Sequence, residues 1–548
     1  MKELTPQLIH SLKHYSRETF IKDLISGLIV AIIALPLSIA LALASGVAPE
    51  QGLYTAIVAG FVISALGGSK VQIAGPTAAF ATIVAGIVAK HGMEGLATAT
   101  ILAGIMLVLM GLLRMGSMIK FIPYTITVGF TAGIAITIII GQLKDFFGLT
   151  FTQSPVETMW KLEETARCIN TLNPAALGVG CLALAILFFW PKFFKKVPSS
   201  LIAVLVTAAA VKLLNLPVNT IGDLYTISSS LPHFAIPDMS YETVAAILPD
   251  TFTIAVLAAI ESLLSAVVAD EMIGTRHNSN MELVAQGVGN TASAFFGGIP
   301  ATGAIARTAA NIKNGGSSPI AGMVHALILL LVLVLLMPYA ALIPMPCIAA
   351  ILFQVAYNMS GWQTVIQVIK HSPMSDAAVL VVTFLLTVMF DLVVAIVVGL
   401  SLACLLFMKR MADVTEVKEW EYIEDTGDDQ GRMKPVPSHV MVYELTGPIF
   451  FGAADKIPHI ERNTGRRVLI LRMRSVPAMD ITAINSLHRL YDECKSKGIQ
   501  MLFSHVNEQP MSVFQKSGMY DLVGKENFLP NIDAAINRAT QMTAGSAA

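Results

Sequence analysis

Arg307 is a charged residue in an apolar part of this 548-residue sequence, within the segment 302–314. An arginine inside a membrane span costs at least about 2.5 kcal/mol even on a lenient scale, so its presence needs a reason. Its charge is suited to binding an anion or to pairing with a carboxylate. The structural alternative is a side chain that extends to the membrane surface, because Lys313 and a polar loop follow closely.

Glu261 is a second charged residue within an apolar run, in the middle of segment 248–269. A carboxylate at that depth requires a proton, a cation or a positive partner. Glu261 is therefore a candidate for carrying a proton, with sodium as the alternative, and Ser265 lies one helical turn further along the same face. A static ion pair between Glu261 and Arg307 is the structural alternative, and it does not exclude a coupling role.

Two short segments rich in glycine and proline are placed to form an anion site with these charges. Residues 67–80 contain Pro76 and residues 296–307 contain Pro300. Proline at a helix start leaves the first-turn N–H groups free to bind an anion. The preceding stretches, 71–75 and 298–301, are expected to pair as small strands. The alternative is that glycine and proline only kink full-length spans.

Other chemistry is not indicated. No nucleophile, base and orienting residue occur at a spacing typical of an enzyme. The five cysteines are scattered without a Cys-x-x-Cys motif, so neither a metal site nor a disulfide framework is predicted, and no cofactor is expected. The net charge of −1 gives no sign of nucleic-acid binding.

The elements that position these residues are predicted to be membrane helices. The chain is 55% hydrophobic and 13% charged, with a mean hydropathy of +0.68, whereas soluble domains have about 25% charged residues. Membrane lipid is therefore the expected surrounding. Fourteen apolar spans are predicted: 24–45, 52–66, 77–90, 95–113, 122–142, 175–190, 199–214, 248–269, 281–296, 302–314, 318–336, 346–358, 376–390 and 392–408.

The distribution of charges and the order of spans predict the topology. Lysine and arginine concentrate in one set of alternating loops, whereas the long loops 148–174 and 215–247 are acidic. The positive-inside rule then places both termini, including residues 1–23, in the cytoplasm. The two broken segments are third and tenth in the order, so they match in two sets of seven spans. Because each set has an odd number of spans, the second set enters the membrane from the opposite side and is inverted relative to the first. This arrangement is typical of inverted-repeat transporters.

At these residues the sequence resembles the SulP anion transporters, bacterial relatives of the solute-carrier family that includes prestin. The resemblance implies a transmembrane anion-transport domain over 24–408 in the bacterial inner membrane. It also implies a homodimer, and a core domain of spans 1–4 and 8–11 that moves like an elevator against a gate domain. The motifs that carry it are Pro49-Glu50-Gln51-Gly52-Leu53-Tyr54, Gly67-Gly68-Ser69-Lys70, His277-Asn278-Ser279-Asn280, Glu282-Leu283, Gln286-Gly287 and Gly289-Asn290.

The same resemblance implies an anion site formed by three spans. The expected substrate-binding residues are Leu37 and Leu41 of span 1, Thr77, Ala78, Ala79 and Phe80 of span 3, and Gly303, Ala304, Ile305, Ala306 and Arg307 of span 10.

Two departures from the family pattern bear on the substrate and the coupling ion. Ala306 stands where many members have serine, so one substrate hydrogen bond is missing. Glu261 stands where the sodium-coupled bicarbonate members have aspartate, which favours protons over sodium. The residues of the motifs most resemble those of the aerobic C4-dicarboxylate transporter branch. We therefore rank C4-dicarboxylate first, bicarbonate second and sulfate third.

The C-terminal part of the chain changes to a soluble composition. Residues 409–434 are predicted to be a solvated acidic linker, and 544–548 a disordered tail. Between them, residues 435–543 alternate strands (440–445, 468–471, 500–503) with helices (483–497, 511–517, 531–540), which predicts a small α/β sheet. This part resembles a cytoplasmic STAS domain. The resemblance implies that a cytoplasmic partner protein binds this domain. Thr482 is expected to cap a helix, with a regulatory phosphorylation site as the alternative.

The function predicted from the sequence is secondary active transport of a small anion. A passive anion channel or a voltage-sensing motor is the alternative class, and Glu261 argues against a channel, which needs no buried protonatable group. A nucleobase permease would share the architecture, but Arg307 and the STAS-like part argue against it.

Overall fold

The computed structural model describes residues 4–13, 15–153, 155, 157–194, 197–390, 392–424, 433–458 and 465–544. The chain forms two compact units, Met1–Leu400 and Ser401–Ala548. Residues 425–432 of the predicted linker and 545–548 of the predicted tail lie outside the described residues.

The first half of the first unit follows the apolar runs of the sequence. Gly92 interrupts the long helix over predicted spans 3 and 4, with φ 66° and ψ −172°, and thereby separates the two spans. The elements are α1 (Gln7–Leu12), α2 (Arg17–Ala44), α3 (Pro49–Leu66), β1 (Ala74–Gly75), α4 (Ala78–Leu112), α5 (Tyr124–Phe147), α6 (Thr158–Arg167), α7 (Pro174–Phe193), α8 (Ser199–Leu213) and α9 (Ile221–Leu224).

The second half repeats the pattern of two helices, a two-residue strand and a short helix. The elements are α10 (Tyr241–Ile273), α11 (Ser279–Phe295), β2 (Thr302–Gly303), α12 (Ile305–Lys313), α13 (Ile320–Leu336), α14 (Met345–Ser360), α15 (Trp362–His371), α16 (Met374–Met389) and α17 (Leu392–Val414). Each of the fourteen predicted spans overlaps one of these α-helices. Within the described residues, seven helical segments are long and apolar enough to cross a membrane by themselves.

The helices of the first unit pack in two groups. In the first, which we call the core bundle, α11 packs on α3 and α4, α13 on α2 and α3, and α10 on α4 and α12. In the second, the gate bundle, α14 packs on α5 and α7, α16 on α5, and α7 on α8. Small residues permit close approach in the core bundle, since a methyl group at Gly104 or Gly287 would collide with the facing helix.

The second unit alternates strands and helices after α17. The elements are β3 (Glu416–Glu419), β4 (Tyr422–Glu424), β5 (Met433–Pro435), β6 (Val440–Thr446), β7 (Val468–Ser475), α18 (Ile481–Ser496), β8 (Gln500–Ser504), α19 (Glu508–Lys516), α20 (Met519–Val523), β9 (Phe528–Leu529) and α21 (Ile532–Ala544). Five of the strands form a sheet in the order β3-β6-β7-β8-β9, in which β6 to β9 are parallel and β3 is antiparallel to β6. Aromatic rings of Phe503, Phe514 and Phe528 pack together in its core.

The predicted α/β character of this unit is confirmed, and two local expectations are corrected. The described part of the predicted linker contains the end of α17, β3 and β4, because Glu416–Glu419 adds to the sheet edge beside Tyr443–Thr446. The cap of α18 is Asp480 and not Thr482, since the Asp480 carboxylate accepts a 3.0 Å hydrogen bond from the N–H of Ala483. Thr482 is the second residue of the helix, and its phosphorylation stays a prediction.

Candidate functional site

The two broken segments meet inside the core bundle as a pair of two-residue strands. Ala74 lies opposite Gly303 and Gly75 opposite Thr302, in antiparallel register. Strand β1 lies within the predicted stretch 71–75, whereas β2 follows the predicted stretch 298–301 instead of coinciding with it. A helix starts after each strand, α4 at Ala78 and α12 at Ile305, so the expectation of discontinuous helices holds and that of simple kinks does not.

Polar side chains from neighbouring helices satisfy the irregular backbone before β2. Asn290 donates to the carbonyl of Ala301 at 2.9 Å and accepts from its N–H at 2.8 Å. Thr55 accepts a 2.7 Å bond from the N–H of Ile299, and Ser293 donates to the carbonyl of that residue. These bonds allow non-helical backbone at this depth, since an unsatisfied peptide group in lipid costs several kcal/mol.

The backbone before β1 is satisfied by α12. The N–H of Ile73 donates to Thr308 Oγ1 at 3.0 Å, and Asn311 donates to the carbonyl of Val71 at 2.8 Å. Ser26 on α2 donates in turn to Asn311 Oδ1 at 2.7 Å. The helix α12 is therefore anchored on the backbone that leads into β1.

The two half-helices present N-termini without side-chain caps. Thr77 precedes α4 and Ala304 precedes α12, and neither side chain caps its helix. The first N–H groups of these helices therefore remain available to a ligand. Ala78, Ala79 and Phe80 are buried, whereas Ile305 is 46% exposed and the neighbouring Ala306 is also exposed.

Arg307 is buried, with 1% of its surface exposed, and points back toward β1. Its Nη2 donates to the carbonyl of Pro76, while Nε and Nη1 have no hydrogen-bond partner among the described residues. Gly75 makes room for the guanidinium, because a methyl group there would lie 2.5 Å from Nη1. The side chain does not extend to the surface, contrary to the structural alternative.

Glu261 lies at the same strand pair and is bound by hydroxyl groups. Its Oε2 accepts from Thr77 Oγ1 at 2.8 Å and from Thr302 Oγ1 at 2.9 Å. Within the described part of the chain no ion pair joins Glu261 to Arg307, so the static pair is not found. Ser265 lies 3.5 Å from the hydroxyl of Thr308 and forms no hydrogen bond to Glu261.

Leu37 and Leu41 lie on α2, which packs against α4 and α12. Leu41 is buried and Leu37 is partly exposed. The structure thus brings Thr77, Glu261 and Arg307 to the strand pair, whereas substrate contact by the two leucines stays a prediction.

Several polar residues around the strand pair were not predicted from sequence reasoning. Thr302, Thr308 and Asn311 lie within predicted span 10. The feature of the sequence that could have identified them is a polar side chain in an apolar segment. Asn290 is part of a motif that carries the family resemblance, and its position among small residues was the available clue.

Glu282, which belongs to another motif that carries the family resemblance, holds the loop before β1. The carboxylate is fully buried and accepts 2.9 Å and 3.2 Å bonds from the N–H groups of Gly68 and Ser69, and a third from Gln286. It therefore fixes the loop that leads into β1 against α11.

Asp23 has a similar role at the start of α2. It is fully buried and accepts bonds from the N–H of Ser317 at 2.8 Å and from Tyr15 at 2.9 Å. Burial and the neighbouring carboxylate raise the pKa of Tyr15 to about 12. The beginning of α2 is thus joined to the loop before α13.

The comparisons with known proteins agree with this geometry. Residues 20–383 match the sulfate permease family, and residues 432–535 match the STAS domain. The chain belongs to the sulfate permease family. It is accordingly an anion transporter and not an enzyme.

Individual relatives match nearly the whole length of this chain. YvdB of Bacillus subtilis, provisionally named a sulfate transporter, is 40% identical over 95% of this chain and 98% of its own. The bicarbonate transporter BicA of a Picosynechococcus species is 30% identical over 94% of both chains.

Solved structures show the same fold. Murine SLC26A9, an anion transporter solved in an inward-facing state, superimposes with a TM-score of 0.87 at 18% identity, covering 98% of this chain and 94% of that one. The transmembrane domain of a cyanobacterial BicA covers 70% of this chain and 98% of its own, with a TM-score of 0.64 at 29% identity.

Proposed function

We propose that this protein is a secondary active importer that couples uptake of a small anion to protons. The observation that carries the proposal is the strand pair, which holds a buried cation and a carboxylate that do not neutralise each other. Two nitrogens of Arg307, Nε and Nη1, have no partner among the described residues, and Glu261 is bound by the hydroxyls of Thr77 and Thr302. We place the anion between the N-termini of α4 and α12, beside Arg307.

The charges at this site support coupling. The guanidinium contributes one positive charge and the two helix N-termini about half a charge each, for a total of about two. An ionised Glu261 would offset one of them, whereas a protonated Glu261 leaves enough positive charge to balance a dianion. Proton binding at Glu261 therefore favours entry of a divalent anion.

The proposed mechanism is an elevator-type movement of the core bundle against the gate bundle. Both half-helices and the buried charges belong to the core bundle, where polar side chains hold the strand pair together. The anion site is therefore expected to move as one body, with the chain acting as a homodimer and both termini in the cytoplasm.

The proposed substrates share a carboxylate or an oxyanion. A C4-dicarboxylate is favoured because the residues of the sequence motifs most resemble those of that branch of the family. Its double negative charge also fits a site with a protonated Glu261. Bicarbonate is the second candidate, because a relative that is 30% identical over 94% of this chain carries that name. Sulfate is the third, by the name given to YvdB.

The test is uptake of labelled succinate, bicarbonate and sulfate into proteoliposomes, each with an imposed proton or sodium gradient. We expect proton-driven accumulation of one of them, and we expect Glu261→Gln to abolish accumulation while exchange across the membrane continues. Glu94→Gln, which neutralises an exposed carboxylate on α4, is the matched control. Unaltered proton-driven accumulation in Glu261→Gln would exclude the coupling role, and uptake that never exceeds equilibrium in the wild type would indicate a passive channel.

A further inference from the structure

A large apolar cleft lies between the two bundles. Its volume is about 530 Å³, and it is bounded by α2, α8 and the end of α13 with the turn that follows. Leu35 and Ile39 line it from α2, and Pro36 between them interrupts the hydrogen bonding of that helix. Leu205 and Leu336 at the cleft are 57% and 50% exposed, so it opens to the outer surface of the unit.

The part of the cleft on α8 is a continuous stripe along one helix face. Residues 201, 204, 205, 208, 209 and 212 recur at intervals of three and four, the spacing of one helical face. From Leu201 to Lys212 the stripe extends for roughly 16 Å at 1.5 Å per residue. That length is about half of a hydrocarbon layer of roughly 30 Å, the depth of a single leaflet.

The charge at the end of this stripe identifies the kind of occupant. Lys212 is the charged residue among those that line the cleft, and it is exposed at the end of α8. The rest of the lining is apolar except for Tyr339, which makes the cleft unsuitable for an unaccompanied inorganic anion. An acyl chain fits the apolar stripe, and a phosphate headgroup fits a lysine at its end.

We propose that this cleft binds one acyl chain of an anionic phospholipid whose headgroup phosphate pairs with Lys212. The lipid would lie between α2 of the core bundle and α8 of the gate bundle. A bound chain is thus placed to resist movement of one bundle past the other, and this consequence rests on the proposed elevator function, whereas the binding itself does not.

The test uses phosphatidylglycerol with a photoreactive diazirine on the acyl chain, in vesicles that contain the purified full-length protein. Peptide mapping after irradiation locates the labelled residues. Unlabelled phosphatidylglycerol and phosphatidylcholine serve as competitors, and a diazirine fatty acid tests for a free acid as the source. Lys212→Glu reverses the charge, and Ala208→Trp fills the stripe. Lys212→Arg keeps the charge at the same position, and Lys144→Glu and Leu182→Trp are the matched controls at exposed sites elsewhere.

We expect labelling within 35–39, 201–212 and 332–343, and competition by phosphatidylglycerol at least about fivefold stronger than by phosphatidylcholine, as follows from one charge pair at the membrane surface. Lys212→Glu and Ala208→Trp should reduce labelling at least about fivefold, and the controls should retain it. Equal competition by both lipids, labelling that is unchanged in Lys212→Glu, preferential labelling by the fatty acid, or labelling outside these ranges would overturn the proposal. Binding of the transported anion is measured on the same variants, so loss of fold is detected separately.

Discussion

Within the described part of the chain, Arg307 makes one hydrogen bond, to the carbonyl of Pro76, although the guanidinium carries five N–H donors. Leaving a buried donor without a partner costs about 1–3 kcal/mol, and more for a charged group. Nε and Nη1 both lack a partner among the described residues. A transported anion that accepts from them would recover this free energy only while it is bound, which is the behaviour required of a carrier.

We predict that Arg307→Ala weakens anion binding at least about tenfold, which corresponds to a loss of about 1.4 kcal/mol. The reason is the loss of the full charge and of the N–H groups on Nε and Nη1. Calorimetric titration of the purified variant with the transported anion measures the effect. Lys313→Ala, which removes an exposed cation at the end of the same helix, is the matched control and should bind like the wild type. Equal affinity in Arg307→Ala and the wild type would remove this residue from the site.

The strand pair is the element that turns two short helices into one site. Two-residue strands make few hydrogen bonds of their own, so side chains on α3, α11 and α12 satisfy the adjoining backbone. Asn290 is central to this arrangement, because one amide group satisfies both polar groups of Ala301. The proposed substrate site thus depends on residues that need not touch the substrate.

We predict that Asn290→Ala speeds amide hydrogen exchange in residues 299–303 at least about tenfold, because two buried peptide groups lose partners that are worth about 1 kcal/mol each. Exchange is followed by mass spectrometry of the full-length protein. Asn314→Ala, which removes an exposed side chain bonded to Ala310, should leave this segment unchanged. Protection equal to that of the wild type would show that Asn290 does not hold the segment.

In the second unit, the N-terminus of α18 depends on Asp480. Its carboxylate accepts from the N–H of Ala483 and from that of Phe451, which joins the helix to the loop after β6. Cys494 on the same helix is a suitable reporter, since it is buried and its burial raises the pKa of the thiol to about 12.

We predict that Asp480→Ala increases the rate of Cys494 labelling at moderate urea by about fivefold, because loss of a helix cap costs about 1 kcal/mol. Mass spectrometry identifies the labelled cysteine in the full-length chain. Thr482→Ala should change the rate little, since Thr482 is not the cap. A larger effect of Thr482→Ala than of Asp480→Ala would contradict this assignment.

At the scale of the whole molecule, the elevator proposal requires the core bundle to move past the gate bundle. We predict that a short bifunctional thiol-reactive reagent that cross-links Leu35→Cys on α2 to Ala208→Cys on α8 stops uptake. Both residues line the same cleft on opposite bundles, so the cross-link would hold the two bundles together. A cross-link between Leu184→Cys and Val204→Cys, which pack within the gate bundle, should leave uptake unaffected. Full uptake by the first cross-linked variant would exclude such a movement. The native cysteines are replaced in both variants.

The sequence by itself determined the class of the protein and the location of its unusual helices. Apolar runs locate the spans because lipid selects for them, and alternation of strands and helices does the same for the α/β unit. Glycine and proline marked where the helices break, and a charge inside an apolar run marked Glu261 and Arg307. These signals are local, so they can be detected from neighbouring residues alone.

The tertiary structure decided which of these groups meet. Residues far apart in sequence supply the partners of the strand pair, and no local pattern specifies that Thr302 binds Glu261 or that Asn290 binds Ala301. The same reason explains why the sequence predicts a linker where β3 lies. The acidic composition is typical of a solvated segment, and only the tertiary structure supplies β6 as a pairing partner. Burial and long-range hydrogen bonding thus determine the site, whereas composition and periodicity determine its elements.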